Sequence, residues 1–134
     1  MIHVDSSFII DLIREGRRQR GRAHAWLQDH GDDVFGISLF ALCELEAGSA
    51  DARDPEKERQ AVAEVLLTID RVYPDDRFVR IYGTVASRLQ RAGRAIGTMD
   101  TLIAATALVN NAALVTANKR HFEGVPGLRV LAYR

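Results

Sequence analysis

The feature that most constrains this chain is the way brief apolar runs take turns with longer amphipathic segments. Ile2 to Asp5, Val34 to Ser38, Ala113 to Thr116 and Leu128 to Ala132 are too short for helices, are dominated by apolar residues, and are bounded by turn-forming or helix-capping residues. The segments between them carry apolar side chains at helical spacing. Strands of this kind, each followed by a helix, pack as a parallel sheet covered on both faces, because the crossover helices lie against the sheet and bury it.

The helical segments can be read one by one. Phe8, Ile9, Leu12 and Ile13 mark the first, with Ser6 or Ser7 as its expected N-cap, and Ala23 to Asp29 form a short second. A third runs from about Leu39 to Gly48. The fourth starts at Asp54 with Pro55 in its first turn, and Val62, Val65, Leu66 and Ile69 are its expected buried face. Phe78, Ile81, Tyr82, Val85 and Leu89 form the stripe of the fifth, which Gly93 stops. The sixth, Thr98 to about Asn111, is apolar nearly all round and so belongs at the centre of the packing. Asn118 to Phe122 is a turn with a helical fragment.

Residues 1–134 are enough for one core and too few for two, so a single domain is expected. Lys+Arg and Asp+Glu stand at 18 each, which argues against a protein that works by coating nucleic acid with uniform positive charge. Basic residues are nevertheless clustered. Arg14, Arg17, Arg18, Arg20 and Arg22 crowd one stretch, as a local phosphate-attracting patch or a solvated face, and Arg88, Arg91, Arg94, Lys119 and Arg120 form a second candidate set. The one cysteine, Cys43, rules out an intramolecular disulfide and is expected to be a small buried hydrophobe. Asp5 interrupts any apolar leader, and no uncharged run approaches the roughly 18 residues of a membrane span, so a cytosolic protein without membrane contact is expected.

Ligands of a parallel α/β sheet bind beyond the carboxyl ends of its strands. Asp5 ends the first strand, Asn118 lies just past the strand Ala113 to Thr116, and Asp100 is in the first turn of the most buried helix, so three positions distant in the chain face one crevice. Singly, Asp5 also suits a helix cap and Asp100 a helix dipole. Glu44 has Phe40, Ala41, Ala47 and Gly48 as helical neighbours and is an acid on a packed face, where a carboxylate needs a cation or hydrogen-bond donors. Glu46 stands among Leu42, Cys43, Ser49 and Ala50, and periodicity does not choose between the two. The histidines His3, His24, His30 and His121 lack zinc-ligand spacing, Trp26 reads as core or partner surface, and no Gly-rich phosphate loop follows the first strand.

Four segments in order, Val4-Asp5-Ser6-Ser7, Glu44-Leu45-Glu46-Ala47-Gly48, Ile96 to Ala105 and Val115 to Phe122, make the chain resemble the PIN-domain nucleases, and within them the VapC-type toxins of toxin-antitoxin pairs. That resemblance implies a three-layer α/β/α sandwich in which Asp5, Glu44 and Asp100 bind Mg2+, or Mn2+ in its place. It further implies Mg2+-dependent hydrolysis of phosphodiester bonds in structured RNA (tRNA or ribosomal RNA), leaving a 5′-phosphate and a 3′-hydroxyl, together with a VapB-type antitoxin partner and a homodimer. The family's frequent fourth acid is here Asn118, which is uncharged and expected to support the site or bind water. Thr116 is expected to orient a carboxylate or water near the metal, and Ser6 to do the same or cap the helix. The rival readings are a PIN-fold RNA-processing nuclease without a toxin role, a non-catalytic phosphoacceptor module that would need Lys119 beside its aspartate, and a binding-only protein.

Overall fold

Residue pairing along the strands settles the sheet. In the computed structural model, which describes residues 1–18 and 20–134 and omits the side chain of residue 17, β1 (Ile2–Val4), β2 (Phe35–Ser38), β3 (Asp70–Val72), β4 (Ala113–Thr116) and β5 (Val130–Ala132) form one sheet. All pairings are parallel and the order is β3-β2-β1-β4-β5. Every residue of β1, β2 and β4 is buried. Successive strand residues point to opposite faces, so burial of all of them means that both faces are covered. The flanking helices are α1 (Ser6–Glu15), α2 (Arg22–Asp29), α3 (Leu39–Ala50), α4 (Pro55–Val65), α5 (Phe78–Arg91), α6 (Thr98–Val109) and the short α7 (Lys119–Phe122).

The central strands and the helices behind them supply the core: Val4, Phe8, Ile9, Ile37, Ile103, Leu114 and Val115 are each at most 2% exposed. Phe8 meets Trp26 and Tyr133 edge-on, with ring centroids 5.5 and 4.9 Å apart, so the partly buried Trp26 packs against the core. His3 is opposite Gly36 in the β1–β2 register, and a Cβ at Gly36 would come within 3.1 Å of the His3 ring and of Val72. Glycine there makes room for a buried imidazole.

Helix starts follow their caps. Ser38 accepts from the Ala41 N–H and Asp54 from the Lys57 N–H, with Pro55 in the first turn of α4. For α1 the cap is Asp5 and neither Ser6 nor Ser7, because Asp5 keeps an extended backbone while its Oδ1 accepts from the Phe8 N–H at 3.1 Å. Gly21, at the start of α2, has no capping side chain. Glu15 supplies one from the end of α1, accepting from the Ala23 and His24 N–H groups at 2.9 Å each.

Two further expectations need correction. The fourth helix does not run through Ile69: it closes at Val65, Leu66–Thr68 form a 3-10 turn, and β3 follows. Leu66 and Ile69 are buried as expected, but they anchor the turn and the lead into an edge strand. Cys43 is exposed, because the buried stripe of α3 is Ala41, Leu45 and Ser49 and Cys43 falls on the other side of the helix. In the first arginine cluster the Arg17 side chain lies outside the described residues, while Arg18, Arg20 and Arg22 are exposed.

Candidate active site

The strand order reverses direction between β1 and β4: the chain builds outward through β2 and β3 on one side and through β5 on the other. Such a switch point leaves a crevice at the carboxyl ends of its two strands. Asp5 follows β1 at that crevice and is 6% exposed; Thr116 ends β4 and is fully buried. The Thr116 hydroxyl donates to Asp5 Oδ2 at 2.6 Å and accepts from the Asn118 N–H at 3.0 Å. The Ser7 hydroxyl donates to Asp5 Oδ1 at 2.6 Å and accepts from the Ala117 N–H at 3.2 Å. Each hydroxyl receives a backbone proton from the β4–α7 loop and directs its own to Asp5, so both carboxylate oxygens are fixed across the crevice. Ser7 does not cap the helix but links Asp5, two residues before it, to the Ala117 N–H 110 residues away, and no local pattern carries that second contact.

Glu44 and Glu46 separate on the same helix. Glu44 is partly buried and its Oε1 accepts from the Ser6 hydroxyl at 3.0 Å, next to Asp5 in the chain. Glu46 is exposed and takes the Arg59 guanidinium, Nη2 at 2.8 Å. Ser6 thus serves the acid on α3 and not its own helix end. Asp100, on the first turn of α6, meets His121 Nε2 at 2.7 Å, and the same nitrogen lies 2.9 Å from the Ile96 carbonyl. Both partners only accept, so Nε2 carries a proton. His121, which lacks zinc-ligand spacing in the sequence, instead contacts one of the acids. Asn118 is exposed at the N-terminal end of α7 and joins the site through its backbone.

The acids feel one another. Burial pushes the Asp5 carboxyl above its ordinary range; hydrogen bonds from Ser7, Thr116 and Phe8 pull it back, and the charge of Asp100 pushes it up again. Glu44 is raised by burial, eased by Ser6, and raised again by Asp100 and Asp5. Among the described residues neither Asp5 nor Glu44 has a cationic side chain within ion-pair distance, and Lys119 pairs with none of the three acids.

A mutually repelling set of carboxylate oxygens from three separate elements is the donor chemistry that a hard divalent cation takes, and the residues fit such an ion. As they stand, no three acid, histidine or cysteine side chains among the described residues close around a point. Each acid is instead turned to a protein donor: Asp5 to Ser7 and Thr116, Glu44 to Ser6, Asp100 to His121. Among the described residues no helix is long and apolar enough to cross a membrane.

Comparison with known proteins returns a consistent set. The family model described as "PIN domain" matches residues 2–128. "Ribonuclease VapC19" of Mycobacterium tuberculosis is 33% identical over 128 residues, covering 94% of this chain and 95% of that protein. "tRNA(fMet)-specific endonuclease VapC" of Shigella flexneri is 33% identical over 93 residues, 69% of this chain and 70% of that one. Among solved structures, VapBC-1 from nontypeable Haemophilus influenzae superposes with a TM-score of 0.83 at 28% identity, covering 99% of this chain and 98% of that one.

Proposed function

The chain belongs to the PIN-domain family, among its VapC ribonucleases, and on that premise we propose that it is the toxin of a type II toxin-antitoxin pair, a Mg2+-dependent endoribonuclease of structured RNA. The observation that carries this reading is the trio Asp5, Glu44 and Asp100, brought together at the β1–β4 switch point, where the charge of Asp100 acts on both Asp5 and Glu44 and neither of those two has a cationic partner among the described residues. These three side chains would hold a magnesium or manganese ion, and when bound that ion would supply Lewis-acid stabilisation of developing phosphate charge and lower the pKa of an attacking water.

The chain's own residues do the positioning. Thr116 and Ser7 keep the Asp5 carboxylate in one orientation, Ser6 draws Glu44 toward it from α3, and His121 holds Asp100 on the opposite wall. Burial of Asp5 restricts water around its carboxylate, which strengthens the hydrogen bonds it accepts. Asn118, in place of a fourth acid, leaves one charge fewer to hold a second ion.

The substrate we propose is tRNA or ribosomal RNA, tRNA being favoured by the likeness to a relative named as tRNA-specific. By the same reasoning a VapB-type antitoxin silences the enzyme, a likeness to a VapBC complex supporting that partner, and the toxin works as a homodimer in the cytoplasm. The test is incubation of purified protein with bacterial tRNA and ribosomal RNA, with Mg2+ or with chelator, reading new 5′-phosphate ends. Cleavage that requires the metal and disappears in Asp5→Asn and Asp100→Asn is expected. Undiminished cutting by either variant would overturn the assignment of the site.

A further inference from the structure

Beside Asp100 lies a groove of about 340 Å³, between the loop that joins α5 to α6 and the segment around α7. That volume is at the lower end of small-ligand sites, roughly 300–1,000 Å³, enough for a nucleotide-sized group. Its walls include Arg94, Ile96, Arg120, His121, Glu123 and Gly124. Among the described residues neither the Arg94 nor the Arg120 guanidinium is engaged by a carboxylate. Arg94 lies against Gly124: a Cβ there would stand 3.3 Å from its Nη1 and 3.4 Å from its Cδ. A side chain there would press on the guanidinium and require it to give by a few tenths of an ångström. His121 is the wall shared with the acids, since the ring that lines the groove also contacts Asp100 at 2.7 Å.

From this placement we infer that the groove is a second phosphate-binding subsite for RNA, in which Arg94 and Arg120 grip a backbone phosphate that flanks the phosphodiester at the Asp5–Glu44–Asp100 site. The inference rests on the ribonuclease reading above. Two unengaged guanidinium groups on one side of a cluster of carboxylates give a ligand with alternating needs a single way to lie: its flanking phosphate on the arginines, its scissile phosphate at the acids. Glu123 is the one acid in the lining and works against a phosphate, which gives the subsite a charge that can be removed in the opposite sense. A neutral or apolar ligand has little to gain there, because the walls offer only Ala95 and Ile96 as apolar side chains.

The test measures binding of fluorescein-labelled bulk bacterial tRNA in an Asp5→Asn background, which leaves the RNA whole, as a function of salt. Arg94→Gln and Arg120→Gln should each weaken binding roughly five- to tenfold at low salt and lower the slope of log K against log salt by about 0.7–0.9. Glu123→Gln should tighten it, and Arg53→Gln, in the α3–α4 loop, should leave it unchanged. In the active enzyme the two arginine variants should raise KM more than they lower kcat. Unchanged affinity and slope in both arginine variants would overturn the subsite, and so would variants that bind tRNA normally but escape silencing by antitoxin, which would give the groove to the protein partner. Failure of the ribonuclease reading looks different: no RNA would be cut by the unmodified protein, whatever the binding curves.

Discussion

Replacing His3 by leucine should make the protein more stable, and by an amount that grows as the solution is acidified. His3 is 1% exposed, and neither ring nitrogen has a hydrogen-bond partner among the described residues. Burial, with a smaller contribution from the N-terminal amino group, lowers its pKa from 6.5 to about 4. Above pH 6.5 the ring is neutral in both folded and unfolded chains. As pH falls from 6.5 toward 4, the unfolded chain takes up a proton that the folded one refuses, so stability is lost across that window. At about 1.4 kcal/mol per pKa unit the full loss is about 3 kcal/mol. Leucine has a similar volume, removes the titration, and relieves two unpaired buried nitrogens, worth a further ~1–3 kcal/mol at every pH. Urea unfolding of both proteins from pH 7 to pH 4 measures this directly. Asp5 and Glu44, whose raised pKa values act in the opposite sense, are common to both proteins and cancel in the difference. A gap between the two proteins that stays constant with pH would refute the reasoning and mean that the imidazole is solvated or paired.

Other outcomes follow from the site. Thr116→Val removes a charge-assisted hydrogen bond of about 1.5–3 kcal/mol from Asp5 and should lower kcat/KM roughly ten- to a hundredfold, with Thr116→Ser recovering most of it; steady-state cleavage assays decide. Glu44→Gln should abolish cleavage while Glu46→Gln, which breaks only an exposed pair with Arg59, leaves it intact, and equal loss in both would contradict the placement of α3. Mg2+ at a hundredfold over its Kd should stabilise the unmodified protein by about 2.7 kcal/mol, seen as a rise in Tm that Asp100→Asn loses.

Much of the fold was legible because its signals are local. The α5 stripe, the all-round apolar α6, the Pro55 start and the Gly93 stop each encode their own burial or termination, and the helices formed within a few residues of where periodicity put them. β3 was not legible: Asp70 and Arg71 are exposed on an edge strand that pairs only with β2, so neither apolar content nor alternation marks it. The end of α4 was misread for a related reason, since Leu66 and Ile69 keep helical spacing while the backbone has already tightened and turned toward that strand.

By itself the sequence determined the class of sheet and the ends of the chain segments that carry acids, so Asp5 and Asp100 could be placed at one crevice from strand ends and helix starts alone. Between Glu44 and Glu46 periodicity could not choose and only the resemblance preferred Glu44; the tertiary structure supplied the physical difference, since the two differ in what stands opposite: the Ser6 hydroxyl for one, Arg59 and solvent for the other. The tertiary structure alone joined Thr116 to Asp5 across 111 positions and turned His121 onto Asp100. Periodicity records how deeply a side chain is buried against its own element's neighbours, whereas a hydrogen bond or a charge coupling depends on which groups the closed sheet brings within about 3 Å, a distance that exists only after folding.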